Sequence, residues 1–208
     1  YVQGVSIDVA GFAIDEFLGS GGIADVYRAV SDEDRRVVAI KLLREPERSR
    51  ANVRRFLREG YLLQRLTHEG LPQCYQVIEE PRPALVLELL EGCTLSERLG
   101  QTGPLSSDAV FSVALAMLRV LGHLHHRGVI HRDVKASNIY LCRDGRVILM
   151  DLGLAMDPED PFTTTLGDVM GTYAYMAPEQ IAGAEVDPRS DLYSLGITLY
   201  EALCGRRP

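Results

Sequence analysis

The apolar pattern changes its period once along the chain, near Leu90–Gly92, and that switch limits the fold more than any other feature of the sequence. Upstream, Phe12–Leu18, Ala24–Val30, Arg36–Leu43, Gln73–Glu79 and Ala84–Leu89 are short and rich in β-branched and aromatic residues. Gly or charged turns bound them, as they bound strands. One helix interrupts the series, Ala51–Leu66, with Val53, Phe56, Leu57, Gly60 and Leu63 along one face. Downstream the chain turns helical. Thr94-Leu95-Ser96-Glu97 is a capping box that opens a short helix. Ser106 or Ser107 caps a long one that ends before Gly128. Its apolar residues (among them Val110, Phe111, Leu115 and Leu118) lie nearly all round, which predicts burial on several sides. Ile139–Cys142 and Val147–Met150 flank the turn Arg143-Asp144-Gly145 as a hairpin. Residues 152–178 read as a long loop, and Asp191–Cys204 as a last helix stopped by Gly205. The expected class is α+β: a small antiparallel β lobe with one helix over 12–90, behind a lead-in of residues 1–11, and a mainly helical large lobe over 91–208.

A charge of −7 argues against nucleic acid or an anionic membrane as the main partner. No run of about 18 apolar residues is expected to span a bilayer, and residues 1–10 lack the basic start of a secretory signal. Cys74, Cys93, Cys142 and Cys204 are scattered, with no CxxC pair, and read as buried thiols in a reducing compartment. Of the 22 basic residues only two are lysines, Lys41 and Lys135. A compact ammonium and a planar guanidinium are not interchangeable in a tight site, so these two positions stand out.

Chemistry gathers in a few places. Gly19-Ser20-Gly21-Gly22-Ile23-Ala24 lies between two strands, where glycines let backbone N–H groups approach phosphate oxygens. A dinucleotide fingerprint would need a helix after the glycines, and Ala24–Val30 reads as strand, so a phosphate-covering flap fits better. Val38-Ala39-Ile40-Lys41 ends the next strand in a lysine, for which mid-helix Glu59 is a fitting acidic partner. His131-Arg132-Asp133-Val134-Lys135-Ala136-Ser137-Asn138 follows the long helix. In it Asp133 can orient a hydroxyl or take its proton, Lys135 can neutralise an anion, and Asn138 can offer an amide oxygen to a metal. Asp151, after the hairpin, has a carboxylate suited to Mg2+.

Together with Gly171-Thr172 and Ala177-Pro178-Glu179, these motifs resemble, in order and over essentially the whole chain, the eukaryotic-type protein kinases, and most of all their bacterial Ser/Thr members. The resemblance implies a two-lobed kinase fold that uses ATP and Mg2+, with Mn2+ as a substitute, to phosphorylate proteins on Ser or Thr. It implies that Lys41, held by Glu59, contacts phosphates, that Asp133 is the base with Lys135 beside it, and that Asn138 and Asp151 hold the metal. Leu87 matches the gatekeeper, Glu88 and Leu90 the backbone groups that bind adenine, and Val26, Ala39 and Tyr140 the apolar positions around the ring. Thr163, Thr164 and Thr165 are candidate loop phosphosites facing Arg132, Asp168 offers a built-in anion, and Thr172 is assigned to the substrate platform.

The resemblance also implies a cytoplasmic domain, self-association for trans-autophosphorylation, and further helices beyond residue 208 whose arginine would pair with Glu179. Departures are Ala24 for a third glycine, Leu152 for the Phe of D-F-G and Tyr193 for a frequent Trp. Two rivals are a nucleotide-binding pseudokinase scaffold, which usually lacks a catalytic group, and a small-molecule kinase, against which the long 152–178 loop argues. The histidines near the long helix (His123, His125, His126, His131) suggest no metal site, and Arg44–Arg58 reads as an exposed, Arg-rich helix face.

Overall fold

In the computed structural model, which describes residues 9–46, 49–155 and 172–208 (side chains of Leu154 and Thr172 excepted), contacts divide the chain into two units. One comprises Tyr1–Arg65 and Gln73–Leu90, the other Leu66–Pro72 and Glu91–Pro208. The first unit is a sheet of β1 (Phe12–Ser20), β2 (Ala24–Ser31), β3 (Val37–Leu43), β4 (Cys74–Ile78) and β5 (Ala84–Glu88), in the order β1-β2-β3-β5-β4 and antiparallel throughout. Its strand alternation sorts side chains by face. Tyr27, Ala29, Val38, Ile40, Leu42, Ala84 and Val86 form one buried cluster. Val26 and Leu85 both stand opposite Lys41, and Leu87 opposite Ala39, so these five share the other face.

The helix α1 (Arg50–Arg65) packs on β4 and β5. It buries Phe56, Glu59, Gly60, Leu62 and Leu63, so the inward face is turned from the expected one: Leu57 is only half-buried, and a carboxylate points inward. Gly60 permits this seat. A Cβ there would stand 2.4 Å from Leu85 Cδ2 and 2.7 Å from Val77 Cγ2. Leu85 is the register partner of Lys41, so the helix rests on the strand position beside the lysine that its own Glu59 meets.

The first strand of the second unit, β6 (Gly92–Thr94), is one the sequence reading missed. It pairs with β7 (Ile139–Cys142), which forms the expected hairpin with β8 (Val147–Leu149). Three residues carry too little periodicity to be read as a strand. The capping box of α2 (Leu95–Thr102) is present, with Glu97 N–H donating to Thr94 Oγ1 at 3.1 Å and Thr94 N–H to Glu97 Oε2 at 2.7 Å. Ser106 caps α3 (Ser107–His125). The short α4 (Pro178–Ile181) falls at the end of the expected loop. Asp187 with Pro188 starts α5 (Pro188–Cys204) three residues earlier than expected, because an Asp N-cap followed by Pro is itself a helix start.

Two expectations fail on α3. Phe111 is 64%, Leu115 40% and Leu118 48% exposed, so the helix is buried along one side only, through Val113, Met117, Val120, Leu121 and Leu124. Among the described residues it is also one helix long and apolar enough, by length and composition, to cross a membrane, contrary to the sequence reading. It packs on α5 and β8, as a core helix of a globular unit does. The cysteines are free, but only Cys74 is buried; Cys93 and Cys142 are partly exposed and Cys204 exposed. Burial pushes the Cys74 thiol up to about 11, away from reactivity.

Candidate active site

In the first unit, β3 places Lys41 so that Nζ donates to both Glu59 oxygens, at 2.7 and 2.8 Å. Glu59 is 4% exposed, a charge tolerated there because it is paired. Ala39 and Leu87 are buried beside it and Val26 is half-buried, all on the Lys41 face of the sheet. Glu88 N–H donates to Gln73 O at 2.8 Å. The glycine-rich turn joins β1 and β2, with Gly19 opposite Val26 and Ser20 opposite Asp25. A Cβ at Gly19 or Gly22 would meet nothing within 4 Å, and neither residue has the positive φ that demands glycine. The chain itself therefore does not require glycine there, and the open space suits a ligand that must reach the backbone.

In the second unit the loop from His131 to Asn138 is fixed by a carboxylate the sequence reading quoted but gave no role. Asp191, in the first turn of α5 and 1% exposed, accepts from His131 N–H (2.9 Å), Arg132 N–H (2.8 Å) and His125 Nε2 (2.7 Å). Its signal was local: an Asp close behind Asp187-Pro188 at a helix start. Arg132 has φ 69°, a left-handed conformation costly for a side-chain residue. Asp191 and Gln180, whose Nε2 donates to Arg132 O at 3.0 Å, hold it there. His131 is fully buried; Nε2 donates to Met150 O (3.0 Å), and Nδ1 accepts from Asp133 N–H (3.2 Å). Those two bonds fix the orientation of the ring.

Asp133 Oδ2 accepts from Asn138 Nδ2 at 2.9 Å and Lys135 Nζ at 2.8 Å, and Asn138 Nδ2 also donates to Asp133 O at 2.8 Å. Asp133 Oδ1 is buried and has no hydrogen-bond partner among the described residues. An unsatisfied buried carboxylate oxygen costs on the order of 1–3 kcal/mol, so Oδ1 calls for a donor beyond the described residues. Asn138 commits its nitrogen to Asp133 and so turns its amide oxygen elsewhere. Asp151 also adopts a left-handed conformation, φ 67°, before the turn Leu152–Leu154, and Leu152, in the place of the D-F-G Phe, is buried. Tyr140 lies opposite Thr94 and Ile148, and burial raises its phenol above the ordinary range.

Tyr175 donates to Glu201 at 2.5 Å and accepts at its carbonyl from Ser194 Oγ at 2.7 Å, which anchors the start of the Ala177-Pro178-Glu179 segment to α5. Glu179 accepts from the Ser190 hydroxyl, so it has a partner within the described residues that the sequence reading did not foresee. The histidines do not converge: His131 and His125 serve Asp191 and the loop, while His123 stacks beside His68 with ring centroids 4.8 Å apart. Burial holds the His123 ring below its usual range, and no group of three metal-ligating side chains occurs among the described residues. Thr163, Thr164, Thr165, Asp168 and the Thr172 side chain lie outside the described residues.

Asp191→Asn should loosen this loop. An Asn side chain keeps one acceptor oxygen where the carboxylate receives three donors, and its NH2 would face one of them. Losing a charge-assisted bond at a buried site costs about 1.5–3 kcal/mol. Urea unfolding should show that loss, and His131 and Arg132 amides should exchange faster with solvent. Unchanged exchange at those two amides would contradict the assigned anchor.

Residues 12–208 match the protein kinase domain family, and the chain belongs to that family. It is 37% identical over 199 residues to the serine/threonine-protein kinase PknL of Mycobacterium tuberculosis, covering 95% of this chain and 50% of that protein. It is 43% identical over 202 residues to the DNA damage-responsive serine/threonine-protein kinase RqkA of Deinococcus radiodurans (92% and 29%). To the serine/threonine-protein kinase PknB of Mycolicibacterium smegmatis it is 35% identical over 205 residues (95% and 33%). The chain thus spans half or less of the length of these relatives.

Proposed function

We propose that this chain is the catalytic domain of a Ser/Thr protein kinase, transferring the γ-phosphoryl group of ATP to protein hydroxyls. The observation that carries the reading is the buried Asp133 carboxylate, one oxygen held by Asn138 and Lys135 and the other without a partner among the described residues. In this role Oδ1 accepts the substrate hydroxyl's hydrogen bond and then its proton. The hydroxyl oxygen forms a bond to Pγ as the bond from Pγ to the bridging β–γ oxygen breaks, and ADP leaves. Lys135 stabilises charge on the moving group, and Lys41, aimed by Glu59, holds the donor's phosphates. The amide oxygen of Asn138 and the carboxylate of Asp151 suit Mg2+, for which Mn2+ can substitute; when bound, the ion neutralises phosphate charge.

The pseudokinase rival is disfavoured by the intact Lys41–Glu59 pair together with the Asp133 carboxylate held by Asn138 and Lys135. A small-molecule kinase is disfavoured by the segment around Tyr175 built onto α5, which suits a peptide platform. The direct experiment supplies ATP and a generic protein substrate to the full-length protein. Transfer should vanish with EDTA, return with Mg2+, and fall to traces in Asp151→Asn. Metal-independent transfer would contradict the assignment.

Control by a loop anion belongs to the same reading. Arg132 is held beside Asp133 by Asp191, and a phosphate of about −1.5 to −2 charge on Thr164 or Thr165 would bias it, with Asp168 as a weaker anchor and one copy phosphorylating another. After incubation with MgATP, mass spectrometry should find phosphate on 163–165. A triple Thr→Ala variant should lose most activity, and Asp168→Asn less. A fully active triple variant beside a dead Asp168→Asn would place the charge in Asp168 instead.

A further inference from the structure

Arg44 does not lie on the exposed helix face to which the sequence assigned it. It follows β3 and reaches back to the glycine-rich turn. Its Nη2 donates to Gly21 O at 2.6 Å and to Gly22 O at 2.7 Å, and its backbone N–H donates to Ile23 O at 2.9 Å. Its Nε lies 3.7 Å from Asp25 Oδ1, the same oxygen that accepts from Ser20 Oγ at 2.7 Å. Gly21 N–H closes the turn on Ala24 O at 2.8 Å. One guanidinium thus gathers two carbonyls and a carboxylate of a turn that carries three glycines and has little stiffness of its own.

The geometry fixes more than position. In a trans peptide unit the carbonyl and the following N–H point to opposite sides of the chain. With Gly21 O and Gly22 O turned toward Arg44, the N–H groups of Gly22 and Ile23 are turned away from it. Two adjacent N–H groups on one side of a glycine turn make an anion-facing row. We propose that Arg44 is a positioning residue: it holds the turn so that the Gly22 and Ile23 N–H groups face the polyphosphate of the bound nucleotide. This rests on the nucleotide-binding reading above. A surface ion pair would contribute little to stability, so its effect should appear in binding of phosphates and not in folding.

The measurement is calorimetric titration of the full-length protein, and of its Arg44→Gln and Arg44→Lys variants, with adenosine, with MgADP and with MgATP. Arg44→Gln should bind MgADP and MgATP about ten-fold more weakly, roughly 1.4 kcal/mol, while adenosine binding changes less than about two-fold. Arg44→Lys keeps the charge but not the planar fork, and should recover only part of the loss. Three results would overturn the proposal: adenosine weakened as much as ADP, which means general damage to the sheet; ADP and ATP unaffected; or full recovery by Lys, which means attraction by charge alone. A wild-type protein that binds neither ATP nor ADP would instead refute the nucleotide reading on which it stands.

Discussion

Lys41→Met should reduce phosphoryl transfer by at least a thousand-fold, about 4 kcal/mol of barrier, and should also lower stability. The first effect follows from removing the cation that Glu59 aims from β3. The second follows from burial. Glu59 is 4% exposed, and removing Lys41 takes the ion-pair partner from a buried carboxylate at the sheet–helix interface, a loss of roughly 3–5 kcal/mol. The two effects can be separated. Lys41→Met with Glu59→Gln should regain most of the lost stability, because the buried negative charge is gone, and none of the activity. Lys41→Arg should fail almost as badly as Met, since the wider guanidinium cannot repeat a contact of 2.7 and 2.8 Å to both oxygens in that space. Chemical denaturation and steady-state rates on the same four proteins decide it. More than about a tenth of wild-type activity in either single variant, a barrier change below roughly 1.4 kcal/mol, would refute the role.

Asp133→Asn should lower kcat by about 10²–10⁴ while leaving the KM for ATP within about two-fold. The side chain is nearly isosteric, so the pocket should persist, but its chemistry reverses. Two donors, Asn138 Nδ2 and Lys135 Nζ, converge on Oδ2. An amide satisfies them only by keeping its oxygen there, which puts its NH2 at the Oδ1 position, where a substrate hydroxyl would need an acceptor. The backbone bond from Asn138 Nδ2 to Asp133 O is untouched, so the loop should hold its shape. A KM for ATP that rises in step with a falling kcat would mean that Asp133 serves nucleotide binding and not the attacking hydroxyl.

How much of this was legible depended on range. The antiparallel sheet, the helix beneath it and the capped helices were readable because alternation, the Thr94–Glu97 box and Ser106 are local signals. The residues of the site were readable as motifs; their partners were not. Asp191 serves a loop 59 and 60 residues earlier in the chain and a helix end 66 earlier, Gln180 reaches Arg132 across 48, and Arg44 reaches Gly21 across 23. No periodicity spans such separations. The inward face of α1 was misjudged for a related reason: apolar spacing alone left Leu57 facing in, whereas the pairing of Glu59 with Lys41 and the close approach at Gly60 fix the rotation. The exposure of Phe111, Leu115 and Leu118 on α3 shows the same limit, since a helix apolar all round does not say which side meets a neighbour. Glu179, expected to depend on an arginine beyond residue 208, already accepts from Ser190.

The central claim is transfer of the terminal phosphate to protein hydroxyls through Asp133. It is tested most directly by incubating the full-length protein with Mg2+, a generic protein substrate and ATP labelled at either the γ- or the α-phosphate, followed by phosphoamino acid analysis of the protein fraction, with Asp133→Asn alongside. The γ-label should appear on serine and threonine, the α-label on nothing, and the variant should retain no more than about a hundredth of the signal. Absence of γ-label from protein, or equal labelling by the variant, would contradict the account.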